Sequence, residues 1–203
     1  MPGYVVLHYT AMGSAAAAID RLCDPEAEVS AHYVICKSGA VTQLVPEGLR
    51  AWHAGIGTWQ GLDDLNSRSI GIELDNNGRG PFTAPLMHSL EALLRGILTA
   101  WDIPPRNVIG HSDMAPGRKT DPGPWFDWAR LERLGLAGQR GTAPGPSDTD
   151  PVLFTEAARR AGYTADVDTD TLLAAVRLRY RPFATGPLEA ADFTPLGQPD
   201  AGA

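Results

Sequence analysis

The sequence predicts an α/β domain built on a mixed central β-sheet flanked by helices, followed by a small C-terminal helical appendage. Three observations carry this. Short apolar, β-branched runs alternate with stretches of helical spacing. One pair of those runs is joined by a glycine turn, so part of the sheet is antiparallel. The composition changes after about residue 136, where Gly, Pro, Ala and Ser take over.

The elements follow in chain order. Residues 4–10 (YVVLHYT) form an apolar run that ends in polar residues, as a buried strand does. Gly13 and Ser14 lead into AAAAIDRLCD, a helix with Ser14 as its N-cap. AHYVICKSGAVTQLVPE reads as a hairpin turning at residues 37–40. The glycine- and aromatic-rich segment 50–68 (RAWHAGIGTWQGLDDLNSR) has no clear period and reads as a long surface loop able to carry function. Residues 69–76 alternate, with Ile70, Ile72 and Leu74 on a core face and Gly71, Glu73 and Asp75 on the other. Residues 84–102 place Leu86, Leu90, Leu94 and Ile97 at helical spacing, which makes this the principal helix; His88 within it reads as a solvated histidine. Val108 and Ile109 form a short strand ending at Gly110 and His111, and an amphipathic helix begins at Trp125.

These readings divide the chain into a domain over 1–136, a linker over 137–150, two short helices within 151–196, and a disordered tail over 197–203. Asp168 or Asp170 caps the second of those helices.

Composition excludes several classes of function. The net charge of −7 without a basic run argues against nucleic acid or an anionic membrane surface as partner. No apolar run approaches the roughly 20 residues that span a bilayer. The start, MPGYVVLHYT, lacks the pattern of an export signal, so the chain is expected in the cytoplasm, or in the periplasm if a leader is missing. Cys23 and Cys36 are too few for a disulfide framework and are read as buried free thiols. No obligate protein partner is evident.

The segment 109–126, IGHSDMAPGRKTDPGPWF, concentrates three prolines and three glycines around His111, Asp113, Lys119 and Asp121. Proline fixes φ and glycine permits turns that other residues resist, so this loop is stiffened to aim something. Lys119 is one of only two lysines in the chain. His8 closes one buried strand and His111 another, so both can meet Asp121 at one edge of a sheet. Two imidazoles and a carboxylate suit Zn²⁺ and leave a fourth tetrahedral position open. Taken singly, each residue has a plainer use: a packing histidine, or an aspartate that begins a turn before Pro122.

Read together, HYT (8–10), SAHY (30–33), AWHAG (51–55), NSRSIGIEL (66–74), VIGHSD (108–113) and RKTDPGP (118–124) occur in a recognisable order and spacing. The region from about residue 4 to 135 resembles the zinc-dependent N-acetylmuramoyl-L-alanine amidases. That family includes the AmpD-like and AmiD-like enzymes, the phage amidase lysozymes and, more distantly, the peptidoglycan recognition proteins. The resemblance implies that His8, His111 and Asp121 bind zinc, that Glu73 is the general acid/base, and that Lys119 stabilises the oxyanion. It further implies hydrolysis of the amide between the N-acetylmuramoyl lactyl group and L-alanine, with a muropeptide or peptidoglycan fragment as substrate. Soluble 1,6-anhydro-muropeptides of wall recycling are the expected substrate; an exported enzyme on intact peptidoglycan and a non-catalytic binding relative are the alternatives. Trp52, His53, Trp59 and Asn66 are expected to form the surrounding groove, and Gly71 to leave room for substrate. His32 reads as support for the site or as simple packing. The appendage weakly resembles a helical peptidoglycan-binding module, but Leu178-Arg179-Tyr180 stands where that module has a Phe-Gln pair.

Overall fold

A computed structural model describes residues 1–197; residues 198–203, most of the tail expected to be disordered, lie outside the described residues. Five strands form one sheet: β1 (Tyr4–Tyr9), β2 (Tyr33–Ile35), β3 (Val41–Gln43), β4 (Ser69–Leu74) and β5 (Val108–Gly110). Their spatial order is β3-β2-β4-β1-β5, with the last four parallel and β3 antiparallel to β2, so the sheet is mixed as the sequence predicts.

The chain adds α1 (Ala15–Cys23), α2 (Ala84–Trp101), α3 (His111–Met114), α4 (Trp128–Arg133), α5 (Pro151–Ala161), α6 (Thr169–Tyr180) and α7 (Ala190–Phe193). Their starts follow local capping chemistry. Ser14 accepts from the Ala17 amide at 3.2 Å and Thr83 from that of Leu86. Asp150 and Asp168 cap α5 and α6 through the amides of Val152 and Thr171. The helix expected from Trp125 starts three residues later, because Asp127 caps the Arg130 amide at 2.9 Å and leaves Trp125 and Phe126 in a turn.

Both faces of the sheet are covered, by different parts of the chain. On one face Val5, Leu7, Ile70, Ile72, Leu74 and Val108 pack against Leu86, Leu90, Leu94 and Ile97 of α2 and Trp128 and Leu131 of α4. Complete burial of each such side chain contributes about 1.5–3 kcal/mol. On the opposite face Tyr4, Val6 and Ile109 meet Met114, Phe154, Tyr163, Leu172 and Val176. The helices beyond residue 150 therefore share a core with the sheet. The stretch 137–150 holds no helix or strand, yet Arg140 donates to Glu132 at 2.6 and 3.1 Å and Gly145 lies so close to the Ala190 backbone that a Cβ could not fit.

Three expectations change. Trp59 is 4% exposed and packs edge-to-face on Tyr163 at 4.9 Å, so it belongs to the core between the 50–68 loop and the C-terminal helices. That loop is anchored inward at Ala51, Ala54, Leu65 and Asn66, all buried. The cysteines are free but not buried: Cys23 is exposed and Cys36 half-buried. Among the described residues no helix is long and apolar enough to cross a membrane.

Candidate active site

The second face of the sheet is covered by the C-terminal helices only toward the starts of its strands. At the carboxyl ends of β1 and β4 a cavity of about 370 Å³ remains, lined by His8, Glu73, His111, Lys119 and Asp121 among others. The carboxyl ends of parallel strands are where open α/β sheets bind ligands. His8 and Glu73 are register partners on adjacent strands, so the sheet itself sets them side by side. Gly110 hands the end of β5 to His111, the first residue of α3.

Asp121 arrives on the stiffened loop. The Ser112 amide donates to its carbonyl at 2.9 Å, tying the loop to α3. Gly117 and Gly123 have φ of +75° and +84°, the left-handed turns expected of them. Gly110 is needed for space instead: its φ is −86°, but a Cβ would lie 2.8 Å from Pro122 and 3.2 Å from Trp128.

The three side chains converge. His8 Nδ1, His111 Nδ1 and Asp121 Oδ2 lie 2.9, 2.9 and 3.0 Å from one another, all buried. Among the described residues they form a group able to hold a metal ion. Burial and the neighbouring His111 push His8 down to about 4, so its imidazole is neutral at pH 7. Burial alone would raise the Asp121 carboxyl, but the His111 and His8 imidazoles set against it outweigh that and hold the group ionised. Neutral imidazoles and a carboxylate are the protonation states that ligation needs. A tetrahedral zinc with ligand bonds near 2.0–2.1 Å separates its donors by roughly 3.3 Å, so this triangle admits the ion after spreading by a few tenths of an ångström. Each imidazole also has its other nitrogen within hydrogen-bond distance of a neighbour: His111 Nε2 of the Ala54 carbonyl at 2.8 Å, and His8 Nε2 of His53 Nδ1 at 3.0 Å. The donor set fits zinc.

Glu73 stands beside this group with Oε2 buried and without a hydrogen-bond partner among the described residues. Burial pushes its carboxyl up to about 8; the Asp121 charge adds to the rise and Lys119 opposes it. Lys119 is half-buried on the cavity wall and has no ion-pair partner among the described residues. Trp52 is exposed at the mouth, where the Arg50 guanidinium lies 5.0 Å from its ring. Asn66 is buried, its Oδ1 accepting from the amides of His53 and Ala54. His53 fills the space over Gly71 where substrate was expected: a Cβ on Gly71 would lie 2.4 Å from its ring. His32 is fully buried, with Nδ1 accepting from the Gly71 amide and Nε2 donating to the Leu49 carbonyl.

Two features escaped the sequence reading. Arg118, beside Lys119, donates to the carbonyls of Ala54 and Ile56 and so ties the 50–68 loop to the metal-side loop. Its neighbour Lys119 drew attention in RKTDPGP; Arg118 sat in the same motif. Asp113, expected to cap or bond its own loop, does accept from the Gly110 amide at 2.8 Å, but it is 1% exposed on α3 and also accepts from Tyr163 Oη and Arg179 Nη1 at 2.9 and 2.6 Å. No local pattern links residue 113 to 179.

Comparison with known proteins agrees with this fold and site. A family model described as N-acetylmuramoyl-L-alanine amidase matches residues 1–124. The chain is 35% identical over 210 residues to the N-acetylmuramoyl-L-alanine amidase AmiD of Escherichia coli, covering 88% of this chain and 74% of that one. It is 44% identical over 106 residues to the 1,6-anhydro-N-acetylmuramyl-L-alanine amidase AmpD of the same organism, an alignment spanning 52% of this chain and 58% of AmpD. A solved structure of Escherichia coli AmiD with the substrate anhydro-N-acetylmuramic acid-L-Ala-D-gamma-Glu-L-Lys superposes with a TM-score of 0.85 at 31% identity, covering 96% of this chain and 86% of that one. With the amidase model matched over most of its length, and a fold shared with AmiD through the C-terminal helices, the chain belongs to the N-acetylmuramoyl-L-alanine amidase family.

Proposed function

We propose that this chain is a zinc-dependent amidase that hydrolyses the bond between the N-acetylmuramoyl lactyl group and L-alanine, acting on soluble 1,6-anhydro-muropeptides in the cytoplasm. The observation that carries the reading is the convergence of His8, His111 and Asp121 beside a carboxyl whose Oε2 is buried and unpartnered. His8, His111 and Asp121 would hold the ion. Zinc supplies a Lewis acid that polarises the carbonyl and lowers the pKa of a water toward about 7. Glu73 takes the proton of the attacking water and passes it to the departing L-alanine nitrogen; burial raises its carboxyl, which favours holding that proton between the two events. Lys119 aims a compact cation at the carbonyl oxygen as charge develops there. Trp52 offers a flat apolar face at the mouth for a sugar or the alanine methyl.

The substrate class rests on the two relatives whose printed names or ligands carry the anhydro sugar. A net charge of −7 contrasts with a cavity wall that includes Arg21, Arg118 and Lys119, an arrangement suited to a stem peptide rich in carboxylates. We place the catalytic unit at residues 1–136 and assign 151–196 a supporting role, because those helices complete the core of the sheet's second face.

Stem-peptide release measured by chromatography tests this. The expected result is faster cleavage of anhydro-muropeptide than of intact sacculi, with both abolished by a chelator and restored by zinc. Equal or faster release from sacculi overturns the substrate assignment, and chelator-resistant release overturns the metal. In the same assay Glu73→Gln is expected to fall by about 10²–10⁴-fold with zinc content unchanged. A wild-type rate in that variant removes Glu73 from the chemistry.

A further inference from the structure

A histidine that coordinates through Nδ1 must carry its proton on Nε2, so something has to fix that tautomer before metal arrives. Both acceptors that do so here lie on one two-residue segment. His111 Nε2 faces the carbonyl of Ala54 at 2.8 Å, and His8 Nε2 faces the side chain of His53 at 3.0 Å. Asn66 pins that segment, its Oδ1 accepting from the amides of His53 and Ala54 at 2.9 and 2.8 Å.

The proton order along the His8 branch follows from the far end. Ser69 Oγ donates to the Leu65 carbonyl, which can only accept. The Ser69 oxygen is thereby left to accept from His53 Nε2, a long contact at 3.4 Å. With its proton on Nε2, His53 has a lone pair on Nδ1 and accepts from His8 Nε2. His8 Nδ1 is then the atom with a free lone pair, facing His111 Nδ1 and Asp121 Oδ2. Gly71 makes the arrangement possible, because any Cβ there would occupy the His53 ring.

We propose that His53, seated over Gly71 and pinned together with Ala54 by Asn66, is a positioning residue that holds the ligand His8 in the Nδ1-coordinating tautomer, as the Ala54 carbonyl beside it does for His111. It acts through His8 and not by touching substrate. The proposal deepens the zinc reading and rests on it.

The test is zinc affinity by competition with a chromophoric chelator, in wild type, His53→Ala and His53→Asn, with folding checked by circular dichroism. His53→Ala is expected to weaken zinc by about 10–100-fold. His53→Asn, which returns an acceptor oxygen near the Nδ1 position, is expected to recover most of that loss. KM for anhydro-muropeptide at saturating zinc is expected to stay at the wild-type value in both. A His53→Ala protein with wild-type zinc affinity and a raised KM overturns the proposal and makes His53 a substrate contact. Equal loss in the two variants also overturns it. A second readout needs no variant: ¹⁵N NMR of the metal-free wild type should show His8 protonated at Nε2, and protonation at Nδ1 overturns the proposal even if His53→Ala fails to fold. Failure of the underlying reading looks different, since the wild-type chain would then bind no zinc at all.

Discussion

Alanine in place of Asp121 is expected to remove zinc and hydrolysis together. Asp121 is buried, and its Oδ2 is the only carboxylate corner of a triangle whose other corners are imidazole nitrogens. Without it the divalent ion has two neutral ligands and no compensating charge inside a desolvated site, where an unpaired charge is expensive. The drop in affinity should exceed the 10–100-fold that accompanies loss of an outer-shell partner. After dialysis, metal analysis should find about one zinc per wild-type chain and essentially none in Asp121→Ala, with peptide release at background. Asp121→Asn keeps the shape and loses the charge, so it should retain some metal at high zinc concentration. Full metal content and full rate in the alanine variant would exclude Asp121 as a ligand.

The second large effect lies outside the cavity. Arg179→Met is expected to destabilise the fold by about 3–5 kcal/mol, because it strands the Asp113 carboxylate in the interior. Both side chains are nearly inaccessible and their ion pair is 2.6 Å long. Burial would lower the Arg179 guanidinium, but the Asp113 charge outweighs that and raises it, so the guanidinium stays charged. Arg179 also stacks 3.9 Å over the Trp128 ring. For a chain of this size the loss corresponds to a fall in Tm of roughly 6–20 °C. The double variant Asp113→Asn, Arg179→Met should recover part of it, since no charge is then left unpaired. Asp113 sits two residues from His111 on α3, so the single variant should bind zinc more weakly as well. A shift in Tm of a degree or less would show that this pair does not hold the C-terminal helices to the metal-bearing helix.

Arg179 also shows where sequence reading stops. The strands, the hairpin and α2 were legible because their order is local: β-branched runs, a glycine turn, leucines at helical spacing. The tripod was legible because two of its members stand at strand ends and the third on a loop stiffened by proline and glycine. The coverage of the second sheet face was not. In α6, a helix the sequence does predict, Arg177 and Arg179 are buried, and polar residues at core positions hide its burial from any hydrophobic count. Each is satisfied by a partner far off in the chain, Arg179 by Asp113 and Arg177 by Asp192. Segment 50–68 was opaque for a related reason. Its order comes from Asn66 bonding two amides and from Trp59 filling a gap against Gly162 and Tyr163, single events without a period. The same aromatics that suggested a cleft turned out to divide, with Trp52 at the mouth and Trp59 in the core. Gly71 was rightly singled out as a position where space matters, but the occupant is an imidazole of the chain itself.

The claim on which the rest depends is that Nδ1 of His8, Nδ1 of His111 and a carboxylate oxygen of Asp121 share one zinc ion. X-ray absorption at the zinc edge on the reconstituted wild-type chain tests it most directly. The account predicts one ion per chain with two imidazole nitrogens and carboxylate oxygen in its shell at about 2.0–2.2 Å, and an open position filled by water. A shell lacking imidazole, or a chain that takes up no zinc at all, would contradict it.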